Sequence, residues 1–308
     1  MSVTVRRNTV YGYINTTNKE KFPDFLGDCL FVNLGRRVLD ALLRRGSSFR
    51  PDIGDMTRLV QLLMASFLLI TASVSATSQT QSDSVKEAQR LTRVAQTAQQ
   101  QGRYEDAIKA YETIVIIAKT SPQIAASALL NAGDIYMAGG RFAQAANAYK
   151  ASLTFDPNSA EAQNNLGEAL GELKEYKPAL GAFQQAVALD GAFVKARYNM
   201  GVTYDKLGQL KYAEFVYRIL IRDHPDFSLA YDSLGVALSK SGRAREAIPF
   251  HQKAISLNPK DPSFYFNSAI SYLMLGDLKN AREQQQQLQK LDPLAAQRLA
   301  TIIGKHQK

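Results

Sequence analysis

Cysteine is almost missing from this chain: of 308 residues only Cys29 is one, and everything after it is thiol-free. A thiol-free segment neither needs nor misforms a disulfide, which permits an oxidising compartment without requiring one. Histidine is as scarce, with only His224, His251 and His306, and the sequence sets no carboxylate or cysteine beside them at ligand spacing. Glycine-rich phosphate loops and nucleophile elbows are absent too. Metal, nucleotide and hydrolytic chemistry thus lack support, and the expectation is a protein that is not an enzyme and holds no cofactor. A concentrated basic face is also lacking. Of the formal charge of +9, the first 76 residues carry +4, and the remaining +5 is spread over mixed-sign surfaces. Nucleic-acid binders gather lysine and arginine on one face, so no nucleic acid is expected as a partner.

What is present is a period. Ala107, Ala145, Ala179, Ala213, Ala247 and Ala281 recur, and from Ala145 onward the spacing is 34 residues. Twelve positions upstream of each stands another small residue, Ala95, Gly133, Gly167, Gly201, Gly235 or Ala269, and the two small residues are expected to face each other across closely packed helices. Four positions downstream come Tyr111, Tyr149, Phe183, Tyr217, His251 and Gln285, an i, i+4 stripe that reads as core. Glycine closes most first helices, at Gly102, Gly140, Gly208, Gly242 and Gly276, with Lys174 as the exception. Each second helix stops at Asp156-Pro157, Asp190-Gly191, His224-Pro225, Asn258-Pro259 or Asp292-Pro293.

Two antiparallel helices per 34 residues, with these small, aromatic and proline positions, resemble the tetratricopeptide repeat family over roughly residues 84 to 295. The resemblance implies an all-α fold: a right-handed α-solenoid of about six helix-turn-helix repeats, here 85–295, closed by a capping helix and tail at 296–308. Two irregularities stand out. The first alanine step is 38 residues, which predicts a longer turn around Thr120-Ser121-Pro122. Pro249 is expected inside the first turn of its helix, where a missing N–H is harmless.

The front of the chain differs. Met56-Thr57-Arg58, the apolar run Leu59 to Ile70 and then Val74-Ser75-Ala76 read as a secretory signal over 56–76. An uncleaved membrane anchor at 59–76 is the alternative, against which stands an apolar run shorter than the roughly 20 residues of a spanning helix. Because such a signal begins at an initiator, residues 1–55 are expected to be an upstream extension of the gene model or a disordered leader. Residues 77–84, rich in Ser, Thr and Gln, read as a flexible linker. The expected location is periplasmic or secreted.

In this family the first helices line the concave surface and often carry asparagine at their sixth position. Here that position holds Asn131, Asn165, Asn199, Ser233 and Asn267. An amide offers a donor and an acceptor to a peptide unit, so the resemblance implies a ladder for an extended backbone. Bonds to neighbouring helices are the other reading of the same residues. Asn165 and Lys195 match a chaperone-tail clamp, but Asn199 and Leu130 break its pattern, and no such clamp is expected. Asp134, Glu161, Glu168 and Glu172 lie toward the front of the groove, with Phe266, Leu273 and Met274 at the back. These residues predict a partner segment that is basic at one end and anchored by an apolar residue at the other. The expected function is an exported scaffold for a peptide or protein partner that assists assembly of an envelope complex, as a monomer or weak homo-oligomer. The alternative is a self-associating or membrane-anchored structural subunit.

Overall fold

The structure, a computed structural model, describes residues 53–118 and 121–306. The leader up to residue 52, Cys29 within it, and Thr120 lie outside the described residues. The chain divides into two units, at 1–80 and 81–308. Helix α1, Ile53–Gln100, runs through the boundary. In its first unit the apolar side chains described between Val60 and Val74 are largely exposed, and an 18-residue window has a mean hydropathy of 1.7. By length and composition this helix is able to cross a membrane, a test that a secretory signal also passes.

Residues 77–84 are part of this helix, where the composition predicts a linker. The hydroxyls that make the segment look loop-like fold back instead: Thr77, Ser78 and Thr80 each donate to the carbonyl three residues earlier, at 2.8–2.9 Å.

The second unit is a stack of helix pairs. After α1 come α2 Tyr104–Ile117, α3 Pro122–Ala138, α4 Phe142–Phe155, α5 Ala160–Glu172, α6 Tyr176–Leu189 and α7 Val194–Lys206. They are followed by α8 Leu210–Asp223, α9 Ser228–Lys240, α10 Ala244–Leu257, α11 Pro262–Met274, α12 Leu278–Leu291 and α13 Pro293–Lys305. Each helix packs on the next, and the core is a series of local clusters along the stack, the organisation of an α-solenoid.

The turn inside each pair is the same six times. Gly102, Gly140, Gly208, Gly242 and Gly276 take φ between 69° and 78°, and Lys174 takes 63° at the equivalent place. The following N–H then reaches back to a carbonyl of the last helical turn, as Arg141 does to Tyr136 at 2.8 Å and Glu175 does to Leu170 at 2.9 Å. A side chain in the left-handed region costs about 1–2 kcal/mol, partly offset by the extra freedom glycine gives the unfolded chain. Lys174→Gly should therefore raise stability by up to about 1 kcal/mol in urea unfolding; a loss of stability would show that the Lys174 turn is not strained.

Two expectations need correction. The four extra residues near Ser121 lie in helix: α2 ends at Ile117 and α3 starts at Pro122, the same separation as between the later pairs, and α3 has 17 residues where α5, α7, α9 and α11 have 13. Four residues are about one helical turn, and the alanine-rich start behind Pro122 absorbs them as helix. Pro249 is the sixth residue of α10, beyond the first turn. Its ring removes one interior hydrogen bond at an exposed position, where water can serve the freed carbonyl. Beyond the small pairs themselves, the upstream glycines abut the aromatic column. A Cβ built on Gly133, Gly167, Gly201 or Gly235 would come within 2.4–2.6 Å of the ring of Tyr149, Phe183, Tyr217 or His251. The ring, being the bulkier group, sets the room that glycine must leave.

Candidate functional site

The first helices of successive repeats touch one another along the stack, α3 to α5, α5 to α7, α7 to α9 and α9 to α11, whereas among the described residues no two second helices have comparable contact. The side packed more tightly is the inside of the curve, so these helices form an inner wall. Its rungs are the sixth-position residues, all half-buried.

Three of those asparagines are already engaged with the repeat before them. Asn165 Nδ2 donates to Asp134 Oδ1 at 3.2 Å, Asn199 Nδ2 to Glu168 Oε1 at 2.9 Å, and Asn267 Nδ2 to Asp232 Oδ2 at 2.7 Å. Asn131 Nδ2 donates to Ser127 O of its own helix at 2.9 Å, and Ser233 Oγ lies 3.2 Å from the Tyr198 hydroxyl. Of the two readings of the ladder, bonding between neighbouring helices is therefore the one its amide nitrogens follow. A carboxylate only accepts, which fixes each amide with nitrogen inward and oxygen outward. Asn165 Oδ1 accepts from Asn164 Nδ2 at 3.1 Å, while Oδ1 of Asn131, Asn199 and Asn267 has no partner among the described residues. The wall thus presents acceptors.

Its charges are partly consumed in the same way. Glu168 pairs with Lys195 at 2.7 Å, and Asp205 Oδ2 pairs with Lys240 at 2.5 Å across the next step. Asp205 Oδ1 is buried without a hydrogen-bond partner. Asp134 also accepts from the Tyr149 hydroxyl at 2.7 Å. Burial and then this bond push the hydroxyl far above its usual range, so it stays a donor. Glu161 and Glu172 are exposed and form no ion pair among the described residues. Toward the back, Phe266 borders a hollow of about 390 Å³ and Met274 is 51% exposed. Leu273, expected beside them on the wall, is in the core at 4% exposure. Nearer the front, Glu168, Glu172, Lys174, Lys195, Asn199 and Lys206 border an open hollow of about 520 Å³.

The sequence reading missed the partner of His251. Its ring is wholly buried, with Nδ1 2.7 Å from Asp232 Oδ1 and Nε2 3.0 Å from Ser271 Oγ, and Ser271 Oγ lies 2.7 Å from Ser239 Oγ. A signal was available: a histidine in an otherwise aromatic core column requires hydrogen-bonding neighbours. Serine, histidine and aspartate in this order are the residue types of a nucleophile, its base and an orienting acid. All three are buried against neighbouring helices, so no scissile group can reach Ser271 Oγ, and the arrangement is a core network joining α9, α10 and α11. Among the described residues no group of three or more His, Cys, Asp or Glu is placed to hold a metal.

With this geometry in view, comparisons place the chain among known repeats. Models described as TPR repeat or Tetratricopeptide repeat match residues 88–119, 133–174, 160–193, 195–226, 230–263 and 252–283, which together make up more than half of the chain. No curated protein matches the chain. Among solved structures, a MamA protein is 30% identical over 57% of this chain and 93% of its own, with a TM-score of 0.51. PilW, a type IV pilus biogenesis factor, is 24% identical over 69% and 98%, with a TM-score of 0.59. YrrB, a TPR protein with an unusual peptide-binding site, is 19% identical over 63% and 100%, with a TM-score of 0.51. At these lower identities PilW and YrrB speak to the fold.

Proposed function

The chain belongs to the tetratricopeptide repeat family, and on that premise we propose that it is a non-catalytic scaffold holding an extended segment of a protein partner along its inner wall. The observation that carries this is the row of acceptors without internal partners among the described residues: the amide oxygens of Asn131, Asn199 and Asn267. Such a row suits the N–H groups of an extended backbone, or lysine and arginine side chains, better than the two-sided amide pairing that the resemblance implies. Asn165, Asp134, Glu168 and Lys195 act in this reading as supports that fix the rungs. Glu161 and Glu172 supply the charge that attracts a basic residue.

The test is selection of random dodecamer peptides displayed on phage against the immobilised full chain. Selected peptides are expected to carry lysine or arginine, and Glu161→Lys with Glu172→Lys should weaken them roughly fivefold, since exposed ion pairs contribute modestly. Both residues are exposed, so the thermal midpoint should hold. Failure to enrich any peptide, or affinity indifferent to both reversals, removes the groove reading.

The exposed apolar face of α1 supports an envelope location, reached either by a cleaved signal at 56–76 or by an anchor at 59–76. Sequencing the amino terminus of the mature protein separates the two: a terminus at Thr77 supports cleavage, and one before Met56 refutes it. An uncleaved anchor favours the alternative of a membrane-bound structural subunit.

A further inference from the structure

The ladder changes character at its last described rung. Arg298 is the sixth residue of α13 counted from Pro293, as Asn267 is in α11 counted from Pro262. At three of the five earlier rungs the side chain donates to an acid of the preceding first helix, at its ninth position for Glu168, the equivalent place for Asp134 in the longer α3, and its fifth for Asp232. In α11 those two positions hold Ile270 and Phe266. The guanidinium therefore meets no internal acid, and among the described residues it is exposed and makes no ion pair or hydrogen bond.

Arg298 lies on the hollow of about 390 Å³ between α11 and α13, with Pro262, Phe266 and Ile302 as its apolar lining and Ser263 and Asn267 at its side. Two acids are near. Asp292, on the hollow, caps α13 by accepting from Ala295 N at 2.9 Å, and Asp261 accepts from Ser263 N at 3.0 Å and Ser263 Oγ at 2.6 Å. Neither is within ion-pair range of Arg298. The planar guanidinium is left with its donors free beside an apolar surface, the arrangement that favours a carboxylate next to a hydrophobic group.

We infer that this groove takes an acidic side chain adjacent to an apolar one on the partner segment, the carboxylate on Arg298 and the apolar group on Phe266 and Ile302. This rests on the peptide-binding reading and adds to it the chemistry of one end. The carboxylate is assigned to an Asp or Glu side chain because Arg298 occupies a rung of a periodic wall, and a segment crossing a rung offers side chains there. The partner is thus donor-rich along the middle of the wall and acidic–apolar at α13.

The experiment uses the same dodecamer display on the full chain, followed by titration of the enriched peptides, synthesised with free and with amidated carboxyl termini. Asp or Glu beside Leu, Ile or Phe should be enriched, and Arg298→Ala should weaken those peptides about tenfold, as expected for loss of a charge-assisted hydrogen bond. Arg298→Glu should reverse the preference toward lysine at that place. Phe266→Leu, which keeps an apolar side chain against the core, should weaken peptides with aromatic anchors when assayed below its unfolding temperature. Enriched peptides without the acidic–apolar pair, or ones indifferent to Arg298→Ala, overturn this inference and leave the groove reading standing. Loss of binding on amidation alone overturns the side-chain assignment in favour of a terminal carboxylate. Enrichment of no peptide removes the groove reading itself.

Discussion

Gly167→Ala should lower stability by about 2 kcal/mol, while Gly171→Ala in the same helix should raise it by up to about 1 kcal/mol. Both glycines sit in α5, and alanine is the better helix former at each. Their surroundings differ. A Cβ on Gly167 would lie 2.6 Å from Phe183 Cε1 and 2.8 Å from two more ring atoms, whereas one on Gly171 meets nothing within 4 Å. Phe183 is 3% exposed and hemmed in by its core cluster, so the ring cannot swing away without displacing other side chains. Steric overlap therefore outweighs the gain in propensity at one site, and propensity acts alone at the other. Urea unfolding midpoints of the two variants decide the matter, and Gly167→Ala/Phe183→Leu should recover part of the loss. Equal effects at the two glycines would mean that ring contact does not set the helix spacing.

The buried histidine gives the second large effect. His251→Phe restores the aromatic of the other repeats, yet it should lower stability by about 3 kcal/mol, because Asp232 is left buried with the Asn267 amide as its one remaining side-chain partner. The remedy can be read from the third repeat, where the equivalent positions hold Asn164 and Phe183, both buried. Asp232→Asn with His251→Phe should thus recover most of the loss, since a neutral amide is far easier to bury than a carboxylate. Thermal and urea unfolding of the single and double variants measure the coupling. A single variant as stable as the parent, or a double no better than the single, would show that the Asp232–His251 contact contributes little.

Both effects follow from residues that a linear reading sees only in part. The period, the left-handed turn residues and the breakers were legible because they act locally: whether residue 140 can close a helix depends on its own φ, and whether 156 ends one depends on Pro157. The aromatic column was legible as core for the same reason. The extra residues at Ser121 were read as turn because an insertion in a repeat has no local sign of its own, although Pro122 and the alanines after it could have marked a helix start. Residues 77–84 misled because hydroxyl side chains suit both loops and self-bonded helix.

By itself, then, the sequence determined the all-α repeat architecture, the ends of nearly every helix and the inner-wall helices that carry Asn131 to Asn267. Only the tertiary structure decided which way the rungs face, that Glu168 and Asp232 are taken up internally, and that Arg298 is not. The physical reason is distance along the chain: these pairings join residues 31 to 35 positions apart, as Asn165–Asp134 and Asn267–Asp232 do. The offset that brings them together comes from how one repeat stacks on the next, through the fit of rings such as Phe183 against glycine, and no local pattern encodes that angle.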